Sequence, residues 1–185
     1  MQIPEQDYLD LMEQTCGLCF FDLEASGLRG DYNSVLVVSV KPYGKKPDTF
    51  TVIRPGNDQK VVREAKACLE SYRVWCGYYS KGFDIPMLNT RLLRWGQFPI
   101  EKRHHLDLYY MLRKNILTAR RSQGHILSWL GTEQQKMTVS AEVWNEILAH
   151  PKQRLPEMMK RCESDCAGLE ALYRRTRHVI GAITR

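Results

Sequence analysis

The chain has 185 residues, enough for one domain with a substantial core, and its 43% apolar and 26% charged fractions are those of a globular protein and exclude a disordered one. No apolar run reaches the ~18 residues a membrane-crossing helix needs, so no span is expected. The formal charge of +6 fits a polyanionic partner such as nucleic acid, although a solvated positive face explains it equally well.

Residues 1–185 read as a single unit, with no repeat, low-complexity tract or Gly/Ser linker. The opening stretch MQIPEQDYLDLMEQ is acidic and lacks the basic start and apolar middle of a signal peptide, so a cytoplasmic location is expected. Six cysteines in a chain of this kind do not suggest a disulfide framework. Cys16 with Cys19, and Cys162 with Cys166, have spacings that a zinc site could use. Cys19 falls in a strand, however, where residues three apart face opposite ways, so small buried hydrophobes are the preferred reading.

Leu18–Glu24 reads as the first strand. Within it Asp22 and Glu24 are two apart, so both project from one face while Phe21 and Leu23 take the other. If the strand is central, two unpaired carboxylates on a covered face cost several kcal/mol, and something positive must meet them. An edge strand with a wet acidic face, or a pair matched by arginines, remains the plainer alternative.

Asn33–Tyr43 is a Val-rich second strand ending at Pro42-Tyr43-Gly44, and Asp48–Ile53 alternates as a third before the turn Arg54-Pro55-Gly56-Asn57. A helix follows over Val61–Ser71, then a short buried strand over Arg73–Tyr79, a helix over Ile85–Trp95 and a last strand at His105–Leu108. Asp84 stands at the start of the second helix, where it reads either as an N-cap or as a third acid aimed at the first two. Beyond Leu108 the pattern is helical throughout: Leu108–Leu117, Gln123–Leu130, Ala141–Ala149 and Leu155–Arg177. In the last of these, Asp165 falls on the stripe formed by Met158, Cys162, Leu169 and Leu172, and an acid on an inward face needs a partner. Trp129 and Trp144 are read as core residues and His104 as exposed.

A three-stranded meander followed by helix, strand, helix, strand and helix is the order of an α/β ribonuclease H-like fold: a mixed five-stranded sheet flanked by helices, with a helical C-terminal half. FDLEASGL, KGFDIPML and RCESDC resemble, in order, the three motifs of the DEDD, or DnaQ-like, 3′-5′ exonuclease superfamily. HHLDLYYMLRK, followed by a helix ending SWLG, is similar to the branch related to the proofreading domains of family B polymerases. The resemblance implies that Asp22, Glu24, Asp84 and Asp165 are catalytic acids holding two Mg²⁺ or Mn²⁺ ions, with Asp22 between them, Glu24 and Asp165 on the water-activating ion and Asp84 acting mainly on the other. It implies hydrolysis of nucleic acid from the 3′ end of a single strand, DNA or RNA, with Leu28, Tyr79, Lys81 and Phe83 at the substrate. His105 and Asp107 are expected to support the site from behind.

Two positions depart from that pattern. Where the family carries a water-orienting Tyr four residues before its last Asp, or a His five before it, this chain has Arg161 and Lys160. A guanidinium stays protonated and cannot be a general base. Arg161 either contacts the scissile phosphate or positions water by hydrogen bonds, or it pairs with Asp165 one turn away and leaves a weak or inactive nucleic-acid-binding module. Tyr79 stands where the family often has Asn, and reads either as a base-stacking ring or as a packing residue at a strand end.

Overall fold

The computed structural model describes residues 15–133 and 151–180, together with Asn145, Glu146 and Ala149. The helix expected over Ala141–Ala149 falls largely outside the described residues, and Trp144 and the acidic N-terminal stretch do so wholly.

Five strands form one mixed sheet: β1 (Leu18–Ala25), β2 (Val35–Pro42), β3 (Asp48–Thr51), β4 (Val74–Gly77) and β5 (His104–Asp107), in the order β3-β2-β1-β4-β5. The meander β1-β2-β3 is antiparallel, whereas β4 runs parallel to β1 and β5 parallel to β4. Each parallel step needs a crossover, supplied by α1 (Gln59–Glu70) and α2 (Asp84–Arg94). The chain then continues as α3 (Leu108–Asn115), α4 (Gln123–Trp129) and the long α5 (Pro151–Ile180). This is the ribonuclease H-like architecture expected, with boundaries displaced by one or two residues except in the last helix, which starts four residues earlier and ends three later than expected.

Alternation along β1 divides the core. Cys19, Phe21 and Leu23 join Val61, Ala65 and Leu69 of α1 and Leu88 and Leu92 of α2. Leu18 and Phe20 join Leu108 and Leu112 of α3, Ile126 and Leu127 of α4, and Leu169, Leu172 and Tyr173 of α5. β1 is therefore central and covered on both sides, which removes the edge-strand reading of its acids.

Trp129 departs from expectation. It is 59% exposed, because α4 turns Gln123, Ile126 and Leu127 inward and Trp129 lies around the helix from them.

A buried ion pair ties the crossover helices to the β1–β2 connection. Asp58, just ahead of α1, does not cap that helix. Its carboxylate accepts from Arg91 Nε at 2.8 Å and Nη2 at 2.9 Å, from Trp95 Nε1 at 2.8 Å and from the Val35 amide at 2.8 Å. Arg91 Nη1 also donates to the Gly30 carbonyl at 3.0 Å, so one guanidinium holds the loop that follows β1. Removing one partner of such a pair leaves the other charge buried and unmatched. Asp58→Ala is therefore expected to lower the unfolding free energy by about 3–5 kcal/mol, read as a shifted urea midpoint at unchanged slope.

Candidate functional site

The even positions of β1 that bury Leu18 and Phe20 continue toward its C-terminal end as Asp22 and Glu24, on the face covered by α5. A bulge between Glu24 and Ala25 ends the regular pairing with β2 there. Asp165 projects from the inward stripe of α5, between Cys162 and Leu169. The result is a close acidic group: one carboxylate oxygen from each of Asp22, Glu24 and Asp165 lies within 4.8 Å of the other two. Asp165 is 2% exposed and Glu24 8%, with Asp22 half-buried. Cys162 Sγ donates to the Asp22 carbonyl at 3.2 Å, and Gln123 Nε2 to the Asp165 carbonyl at 2.9 Å, so strand and helix are fixed at the site by their main chains.

Three like charges this close, largely withdrawn from water, require positive charge. Arg161, one turn before Asp165, supplies some of it. Its Nε lies 2.9 Å from Glu24 Oε1 and 3.9 Å from Asp165 Oδ2. Of the two readings of Arg161, the approach to Asp165 is present at 3.9 Å, but Glu24, on a different element, lies nearer. The Arg161 charge alone does not balance three carboxylates, and carboxylate oxygens at this spacing are the donor set of a hard divalent cation. The residues present therefore fit a hard divalent cation.

Asp84 is near this group but not within it. Phe83, not Asp84, occupies the cap position of α2, and Asp84 is the first residue of the helix. Pairing of β1 with β4 runs only to Phe20, so the amide of Leu23 has no strand partner on that side; Asp84 Oδ1 accepts from it at 3.2 Å. Burial pushes the Asp84 carboxyl up to about 7, with the charges of Asp107 and Glu24 adding to the effect, against the backbone amides of Asp84 and Leu23, which lower it.

The residues expected at a substrate fall in three places. Leu28, 81% exposed in the loop after β1, shares a cleft of about 310 Å³ with Phe83, Arg29 and Thr90. Lys81 lines a separate cleft of about 600 Å³ with Lys102, Arg103 and His105. Tyr79 stands on the β4–α2 turn, 46% exposed.

Asp107, at the end of β5, is buried. Its carboxylate accepts from the amides of Tyr79, Lys81 and Tyr109 at 2.9, 2.8 and 3.1 Å, so it organises the turn carrying Tyr79 and caps α3. His105 Nε2 lies 2.8 Å from Ser80 Oγ, and burial, then the charges of Lys81 and His104, hold its ring down to about 4. His104 is exposed, as expected. Sequence reasoning missed Asp58 and Arg91, which hold the Leu28 loop; the two lie 33 residues apart in the chain, and no local spacing signals their pairing.

A family model for the RNase H superfamily matches residues 19–177. No curated protein matches the chain. Among solved structures, the chain is similar to the family B DNA polymerase from the hyperthermophilic archaeon Pyrobaculum calidifontis, with a TM-score of 0.69 and 18% identity over 86% of this chain and 24% of that one. The chain thus spans about a quarter of the polymerase's length.

The Asp84 shift has a signed consequence. Its folded value of about 7 lies above the ordinary 3.8, so between the two the folded state binds more protons than the unfolded one. Stability then falls as pH rises across that window. In EDTA, urea midpoints measured from pH 4 to 8 should show an Asp84-dependent loss on the order of a few kcal/mol at most, and Asp84→Asn should flatten that part of the profile.

Proposed function

This chain belongs to the RNase H superfamily, and we propose on that premise that it is a divalent-metal-dependent 3′-5′ exonuclease acting on single-stranded nucleic acid. The observation that carries the proposal is the convergence of Asp22, Glu24 and Asp165 from two different elements onto one spot. Keeping three carboxylates together in a covered setting is costly unless a cation joins them.

Asp22, Glu24 and Asp165 would hold Mg²⁺ or Mn²⁺ directly, two ions being the number the motif pattern implies, and Asp84 would contribute through water. When bound, such ions neutralise charge on the phosphodiester and make an attacking water available near neutral pH. The chain's own groups do the rest. Asp84, anchored to the Leu23 amide, fixes α2 against β1 and keeps a titratable carboxyl beside the group. Leu28 and Phe83 border a cleft in which a terminal nucleotide could sit. Arg161 cannot accept a proton from water; its place beside Glu24 suits a contact to the scissile phosphate.

The same Arg161–Glu24 pair favours a second reading. A guanidinium held 2.9 Å from a ligand oxygen competes with a cation for it, as expected of a catalytically silent nucleic-acid-binding module.

An end-labelled single strand incubated with Mn²⁺ or Mg²⁺ decides between them. The enzyme reading predicts a ladder shortening from the 3′ end, abolished by EDTA and reduced at least about 100-fold in Asp22→Ala, since even outer-shell partners of a metal ligand are worth 10–100-fold. Binding with no cleavage in either metal supports the silent module. In that case hydrolysis by Arg161→Tyr would identify Arg161 as the restraint.

A further inference from the structure

We infer that Tyr79, Tyr109 and Tyr110 form a stacking platform for an unpaired base of the bound strand. The inference rests on the nucleic-acid reading above and extends it to a second place on the molecule.

The first observation is backbone strain. Tyr79 has φ of +58° and is the only non-glycine residue with positive φ among the described residues. A bulky residue there is unfavourable, and Gly or Asn would fit at lower cost. The turn is nevertheless held in place: the buried Asp107 accepts from the amides of Tyr79 and Lys81, on either side of Ser80. Gly82 makes room for the ring, since a Cβ there would lie 2.6 Å from Tyr79 Cζ. The surroundings thus enforce a conformation that the residue itself disfavours, and strain of this kind collects at functional sites.

The second observation is where the ring goes. It is not tucked into the core, being 46% exposed. It lies 5.1 Å from Tyr109 and 5.8 Å from Tyr110, between centroids, and Tyr109 lies 5.2 Å from Tyr110. Tyr79 and Tyr110 are inclined by only 34°, while Tyr109 stands edge-on to both at 78° and 86°. A packing tyrosine at a strand end would be covered; this one is displayed in a group. Such faces accept any base, at about 1–3 kcal/mol per stack.

The third observation is position and charge. Phe20 is level with Cys76, and Gly77 with Asp107, so the residues following β4 and β5 emerge beside Asp22 at the same end of the sheet. One to two strand spacings, roughly 5–10 Å, separate them laterally. Ligands in such sheets sit beyond the C-terminal ends of parallel strands. Arg113 and Arg121 share a small crevice with Tyr78 and Tyr109, so cations stand beside the Tyr109 side of the group, where phosphates of a stacked strand would run. That complementarity selects a nucleic-acid strand over an apolar peptide as the occupant.

The test uses a fluorescein-labelled oligothymidylate in EDTA, where binding is read by anisotropy without cleavage. Tyr79→Gly suits the positive φ, so its melting temperature should stay at or above wild type while affinity falls about tenfold, the loss of one base stack. An abasic nucleotide at the stacked position should weaken the wild type by a similar factor and leave Tyr79→Gly unaffected. Should Tyr79→Gly lower the melting temperature, Tyr110→Ala, on the surface of α3, decides by the same anisotropy loss. Wild-type affinity in both variants overturns the platform and leaves the nuclease reading standing. Tyr79-dependent binding by a protein that never cleaves supports the platform and sinks the nuclease reading. No binding by the wild type overturns both.

Discussion

Repulsion among Asp22, Glu24 and Asp165 is the constraint around which the rest of the molecule is arranged. One oxygen from each lies within 4.8 Å of the other two, where a strand covered on both faces meets the 30-residue helix α5. Such an arrangement persists only if the surrounding fold enforces it and positive charge meets it. β1 does the first by being central and anchored through its neighbours. Arg161 contributes to the second, and a hard cation suits what remains.

Other buried carboxylates in the same region serve the backbone and do not join the acidic group. Asp58 gathers Arg91, Trp95 and the Val35 amide, and through Arg91 restrains the loop bearing Leu28. Asp107 gathers three amides and sets the turn bearing Tyr79. Asp84 receives the Leu23 amide where β4 no longer pairs with β1. Each fixes backbone at the end of the sheet where β1 carries Asp22 and Glu24, so the catalytic reading and the stacking platform depend on the same part of the fold.

Much of this was legible in the sequence because it is periodic. Alternation along β1 placed Asp22 and Glu24 together and away from Phe21 and Leu23. The helical stripe through Met158, Cys162 and Leu169 turned Asp165 inward, and the four-residue spacing brought Arg161 beside it. What was not legible depends on contacts between distant segments. Arg161 lies closer to Glu24 than to Asp165 because α5 crosses β1, which no local spacing reveals. Asp58 holds an arginine from α2, 33 residues further along the chain, a contact that no local pattern marks. Asp84, which read as a cap or as a third acid aimed at the first two, also meets a strand amide, a contact that depends on where β4 stops pairing with β1. Trp129 looked like core, but its short helix turns a different side inward.

The central claim is that this acidic group is completed by a divalent cation competing with Arg161 for Glu24. Titration with Mn²⁺, followed by the loss of the free-ion electron paramagnetic resonance signal, tests it most directly. The account predicts Mn²⁺ binding by the wild type, tighter binding by Arg161→Gln, and binding lost in a protein carrying both Asp22→Asn and Asp165→Asn. Free Mn²⁺ undiminished by either the wild type or Arg161→Gln would contradict it.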